Sequence, residues 1–358
     1  MLSVLHVTLP VFALVLCGWI AARRRILSPE AASGINAFVF MFALPAMMYR
    51  AASTQSPGQL ADLRFLAAFA IAALLMLFGS RWLAPKAAAP NPQQRTGVAF
   101  AATHGNVGYM GLPLTAQLGD PSLMPAMVMA LLVDILMVIV ITILLFEWGR
   151  QTRASVQGAS GQSSSGQAAA GQAAAGQVVA GQVVAGQGSQ ATTPVSGLSD
   201  SIGARVRMAL IGLLRTPMIL GLVVGVVVSA GWIPVPDTAE SFIGLLAQAA
   251  GPCALFAIGA SLGERKIELD APTGGLVALK LLIHPLLVAA LMWILQVDWR
   301  LAAVGIMAAG LPTASNVFIL SQRYGVNVRP IGAALALGTL LAAASVSFIL
   351  WMTGLVPA

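Results

Sequence analysis

Charged residues are what this sequence has least of. Lys, Arg, Asp and Glu together supply only 9% of 358 residues, while 58% are hydrophobic, against about 25% charged in a soluble domain. With a mean hydropathy of +0.87, the chain carries more apolar surface than a water-soluble fold can bury. Acidic residues are scarcer than basic ones, 12 against 19. The resulting excess of +7 does not describe a nucleic-acid face, because the basic residues lie between apolar runs and not beside aromatic or polar partners. Cysteine is nearly missing too. Cys17 and Cys253 each sit in an apolar run, where a thiol behaves as a small buried hydrophobe, so no disulfide framework is expected. The chain has no Gly-x-x-x-x-Gly-Lys-Ser/Thr loop, no His-Glu-x-x-His or Cys-x-x-Cys pair and no nucleophile elbow. These absences argue against ATP-driven pumping, a metal or cofactor site and enzymatic chemistry.

What is present is a series of apolar runs of about 20 residues, each long enough to cross a bilayer as a helix. Ten are expected, at 2–22, 32–51, 63–84, 96–118, 123–147, 209–231, 240–262, 273–296, 300–320 and 330–353. The first is followed, not preceded, by Arg23, Arg24 and Arg25, so it reads as a retained helix and not a signal peptide. With the N-terminus outside, all the Lys and Arg residues except Arg50, Arg64, Lys280 and Arg300 fall in cytoplasmic loops, as the positive-inside rule requires. Both termini are then periplasmic, in an inner membrane.

Between the fifth and sixth runs, Gly-Gln pairs recur every five residues from Gly161 to Gly186. Gly, Gln, Ser and Ala without an apolar stripe do not bury enough surface to fold. The expected organisation is a first five-helix repeat at 1–150, a disordered Gly/Gln-rich cytoplasmic linker at 151–202 and a second five-helix repeat at 203–358. An odd number of spans per half inverts the second half, the layout of inverted-repeat transporters. Pro45 and Pro252 stand in corresponding spans two and seven, and spans four and nine are both rich in Gly, Asn and Pro.

Span four reads His104-Gly105-Asn106-Val107-Gly108-Tyr109-Met110-Gly111-Leu112-Pro113-Leu114. Three glycines, an asparagine and a proline in so few residues predict an interrupted helix. Its freed N–H groups suit a carboxylate and its freed C=O groups a cation, with Asn106 offering both a donor and an acceptor. The competing reading is that Gly and Pro serve close packing in membrane helices. Span nine carries the partner break, Gly310-Leu311-Pro312-Thr313-Ala314-Ser315-Asn316-Val317-Phe318-Ile319-Leu320. Thr313 and Ser315 suit either an anion or a hydrogen bond back to their own helix.

The stretches Asn106 to Leu114 and Leu311 to Tyr324, together with Ile35 to Phe40 followed by Pro45, resemble the auxin efflux carrier family, whose bacterial branch includes malonate carriers. The resemblance implies an all-α polytopic fold of ten helices, in two inverted repeats with helices four and nine broken and crossing. It implies an anion bound beside the crossing, in which Gly105, Asn106, Gly108, Tyr109, Pro113, Pro312, Thr313, Ser315 and Asn316 take part, carried without ATP. A homodimer is implied by the resemblance alone. The plant carriers have proline where this chain has Gly105 and Val317, which makes auxin itself a poor candidate substrate.

Ionisable residues inside spans cost about 2.5–3.5 kcal/mol each at a helix centre, so each requires a reason. Asp134 in span five suits proton coupling, or a neutral acid bonded between helices. Lys280 and His284, four apart on one helical face, allow Lys280 either to attract an anion or to snorkel to the cytoplasmic surface. His104 is a candidate titrating group or a packing residue. Coupling to H+ or Na+ is left open, as are a passive channel and a sodium-coupled symporter beside the leading expectation, a secondary carrier of small organic anions in a lipid bilayer.

Overall fold

The computed structural model describes residues 2–55, 57–84, 89–159, 216–263 and 270–355. Within them the chain is helical. In order come α1 (Leu2–Arg23), α2 (Pro29–Phe38), α3 (Leu44–Ser53), α4 (Leu63–Leu83), α5 (Pro92–Thr103), α6 (Leu112–Gln117), α7 (Met124–Val133) and α8 (Val140–Ala159). After residue 215 follow α9 (Pro217–Ser229), α10 (Asp237–Gly263), α11 (Ala271–Ala278), α12 (His284–Ile294), α13 (Trp299–Ala309), α14 (Ser315–Arg323) and α15 (Arg329–Thr353).

Helix starts follow from local chemistry. Asp62, Asn91 and Asp270 each accept a hydrogen bond from the backbone three residues on, at 2.8, 2.9 and 2.8 Å. Each so satisfies one of the N–H groups that a helix start leaves open. Proline follows at the first turn in α2, α5, α9, α11 and α15, where its missing N–H is no loss.

Further prolines explain the π turns. Val39–Ala43, Val107–Gly111 and Leu279–Ile283 each widen the helix two residues ahead of Pro45, Pro113 and Pro285. A proline within a helix lacks one N–H, and its ring crowds the carbonyl four residues back. One wider turn relieves that crowding without ending the helix. Asp134–Ile139 is a fourth π turn, with no proline behind it. Pro252, which stands in span seven as Pro45 does in span two, lies inside the continuous α10.

Among the described residues, seven helical stretches are long and apolar enough to cross a membrane: His6–Arg23, Pro29–Ser53, Leu63–Leu83, Pro121–Gly149, Asp237–Gly263, Ala271–Ile294 and Arg329–Thr353. Of the other runs expected from sequence, the sixth is described only from residue 216, and the fourth and ninth are each split in two. The expected linker at 151–202 lies outside the described residues from 160 on, while α8 continues as far as Ala159. Large apolar side chains such as Leu9, Phe42, Leu75 and Phe242 stand exposed, and exposed Trp82, Trp293, Trp299 and Trp351 mark helix ends. Apolar flanks with tryptophan at the rims are the surface a bilayer requires.

Two groups of helices emerge. α1 packs along α10, and α3 packs along both α9 and α10. The approach of α1 to α10 depends on glycine: a Cβ on Gly18 would lie 2.0 Å from the Phe256 carbonyl, and one on Gly259 would lie 1.9 Å from that of Val15. In the second group α4 packs on α5 and α12, α12 on α13, α5 on α8, and α11 on α15. Both groups mix helices from before and after residue 216.

Candidate functional site

Helix α5 ends at Thr103 and α13 at Ala309. The chain then runs extended past Gly105 on one side and past Thr313 on the other, and these two residues pair as a single antiparallel bridge. Asn106 N–H donates to the Pro312 carbonyl at 2.9 Å, and Ala314 N–H donates to the His104 carbonyl at 3.4 Å. Thr313 Oγ1 donates across the break to the Ala101 carbonyl at 2.8 Å. Helix resumes at Val107 and at Ser315. Each interruption therefore satisfies the backbone groups of the other, which lipid could not do. Sequence left Thr313 either an anion ligand or a back-bonded hydroxyl; its hydrogen goes instead to the last turn of α5.

Lys280 does not snorkel. It is 1% exposed, and its Nζ lies 3.0 Å from each of the Thr103 carbonyl, the Ala309 carbonyl and His284 Nδ1. An ammonium has three protons and no acceptor. All three are committed, so the side chain also has no donor left for an anion. His284 must present a bare Nδ1 to that ammonium and carry its own proton on Nε2, an atom buried without a partner. The spacing of Lys280 and His284 shows in sequence; the two helix ends they serve do not.

Asp134 meets the break at Gly105. It is 1% exposed, and its Oδ2 accepts from Gly105 N–H at 3.2 Å and stands 3.5 Å from His104 Nδ1. Across the ring, His104 Nε2 is 3.1 Å from Asn316 Nδ2, and the ring stacks on Phe100 with centroids 5.1 Å apart. If Nε2 accepts from the amide, the imidazole proton sits on Nδ1, on the side of Asp134, although Nδ1 makes no hydrogen bond among the described residues. Asp134, His104 and Asn316 thus stand in a row, 3.5 and 3.1 Å apart. His104 is no isolated packing residue. The acid faces a freed N–H, and the ammonium faces freed carbonyls.

The remaining expected residues surround this core. Asn106 is 7% exposed. Gly108 lies against Met218, Pro113 against Gly251 and Pro312 near Gly338. Tyr109, Ser315 and Asn316 are half-buried. Sequence reasoning missed a clamp at the start of α5: Gln94 Nε2 donates to the Asn327 carbonyl at 3.1 Å, and Asn327 N–H donates to Gln94 Oε1 at 3.0 Å. Nothing in the local pattern pairs residues 233 apart.

Known proteins share this chain's pattern. A family model for membrane transport proteins matches residues 3–350. The chain is 29% identical over 370 residues, covering 100% of itself and 99% of the relative, to a Rhizobium meliloti (strain 1021) protein named provisionally as a malonate transporter. Over 126 residues, 34% of this chain and 20% of the relative, it is 32% identical to auxin efflux carrier component 3a of Oryza sativa subsp. japonica. The chain is a multi-pass membrane protein belonging to the membrane transport protein family, that of the auxin efflux carriers.

Proposed function

We propose that the chain is a secondary active transporter of small organic anions, mono- or dicarboxylates of the malonate kind. It carries them across a bacterial inner membrane by alternating access at the crossed breaks. The observation carrying this reading is the paired interruption of α5–α6 and α13–α14 beside Gly105 and Thr313. Two helix starts, at Val107 and Ser315, bring open N–H groups to one place, and open N–H groups with a helix dipole behind them favour a carboxylate. Asn106 and Asn316 stand at those starts. The full-length similarity to a relative provisionally named for malonate supports the substrate class. We read the fold as ten spans in two inverted halves with both termini outside, on the strength of the arginine and lysine distribution.

The Asp134–His104–Asn316 chain favours protons as the coupling ion. In its present arrangement Asn316 Oδ1 is buried and unpartnered, an acceptor that repels an anion. Moving the imidazole proton to Nε2 and turning the amide over lets Oδ1 accept from His104, and it presents the amide N–H groups instead. Protonating Asp134 removes the acceptor charge that holds the imidazole proton on Nδ1, so proton and anion binding favour each other. Among the described residues, Lys280 is the charged neighbour of both Asp134 and His104, and His284 stands behind it.

Solid-supported-membrane electrophysiology on protein in liposomes, offering malonate, succinate and lactate across a pH range, tests the reading. A saturable, pH-dependent current for one of these anions is expected. A non-saturating conductance would instead indicate a channel, and strict dependence on Na+ a sodium symporter. If all three anions are electrically silent and radiolabelled uptake is also absent, the anion-carrier reading fails.

A further inference from the structure

The carbonyls that Lys280 meets belong to the last residues of α5 and α13, Thr103 and Ala309. In an unbroken helix each would accept a hydrogen bond from the N–H four residues later. Here the chain has turned away by then, so both are helix ends with open acceptors and the negative pole of a helix dipole. Two such poles converging in a dry interior demand a cation. In carriers built from broken helices, freed carbonyls and half-helix C-terminal ends supply the ligands of a mobile coupling ion. In this chain the point is filled by an ammonium 3.0 Å from both carbonyls. The aliphatic stem that tethers it comes from α11–α12, through the π turn at Leu279–Ile283.

Two neighbours adapt the site to a permanent occupant. His284 closes the third valence through Nδ1 at 3.0 Å, an atom that accepts only while the ring is neutral. Gly105 leaves room for it: a Cβ there would come within 3.1 Å of Nζ and 3.3 Å of the Ala308 carbonyl. A second cation brought to the same carbonyls would meet the ammonium at contact distance and be repelled.

We propose that Lys280 is a resident counter-cation of the crossing, holding the place where a sodium-coupled carrier takes its ion, so that this chain moves its anion without Na+. The transport half of that statement rests on the carrier reading above. The occupancy half does not.

The test uses the full-length protein purified in detergent, its thermal midpoint followed by tryptophan fluorescence while NaCl replaces choline chloride at constant ionic strength. The wild-type midpoint should not move. Lys280→Ala should melt roughly 10 °C lower, as leaving the buried Thr103 and Ala309 carbonyls without their donor implies. Na+ or methylammonium, but not choline, should restore part of that loss in a saturable way. Lys280→Met, which fills the volume without charge, should melt low and ignore both cations. A saturable Na+ response in the wild type would overturn the proposal, as would a Lys280→Ala midpoint that is unchanged or that no small cation restores. If Lys280→Ala does not fold, the wild-type titration and Lys280→Met still decide. Midpoints need no substrate, so they stand even if malonate is the wrong anion. In liposomes that do transport malonate, equal wild-type rates in Na+ and choline are expected, and a rate that collapses in choline would contradict sodium independence.

Discussion

Gly105 and Thr313 come from interruptions more than 200 residues apart and form one antiparallel bridge, in a chain whose described residues are otherwise helical and turn-connected. The bridge explains how two opened helices persist at membrane depth. Its backbone partners are each other, through Asn106 to Pro312 and Ala314 to His104. The charges that face it, Lys280 and Asp134, match the polarity of the groups left over.

Gly105→Ala is expected to disturb this bridge directly. The new methyl would press on the Lys280 ammonium and on the backbone oxygen of Ala308, and of the two only the lysine tip can move. Overpacking of this kind costs about 1–3 kcal/mol. A lower thermal midpoint with anion currents reduced at least severalfold is predicted; wild-type values for both would show that the crossing is looser than described.

Asp134→Asn preserves an acceptor for Gly105 N–H while removing the carboxylate charge. The protein should fold, and its anion current should lose most of its dependence on pH while retaining saturation. A pH profile superimposable on the wild type would remove Asp134 from the coupling path.

Gly259→Leu probes the other group of helices. Even a Cβ at this position would collide with the Val15 carbonyl, so α1 and α10 must separate, at a cost of about 1–3 kcal/mol or more. Folded yield measured by fluorescence-detected size exclusion should fall sharply. Gly274→Ala, where a Cβ meets nothing within 4 Å, is the matched control and should leave the yield unchanged.

How much of this was legible in the sequence differs from residue to residue. The breaks at Gly105 and Gly310–Thr313 are visible because glycine, asparagine and proline act on their own backbone, within a few residues. The π turns ahead of Pro45, Pro113 and Pro285 follow from the same local rule, whereas Pro252 shows that a helix can also absorb a proline without one. Lys280 was not legible. Four methylenes allow the charge either to reach the membrane surface or to turn inward, and what decides is the pair of helix ends, at Thr103 and Ala309, brought beside it by folding. His104 and Asn316 were each visible as polar residues in an apolar run, but their contact spans 212 residues. Only the crossing brings them together.

Anion binding at the crossing, as proposed, is tested most directly by the malonate-evoked current of Asn106→Ala and Asn316→Ala in liposomes, beside wild type at matched protein density. Each variant should fold, with an unchanged size-exclusion profile, and lose at least about tenfold in current, the scale of one charge-assisted hydrogen bond of about 1.5–3 kcal/mol. Wild-type currents from well-folded Asn106→Ala and Asn316→Ala proteins would contradict it.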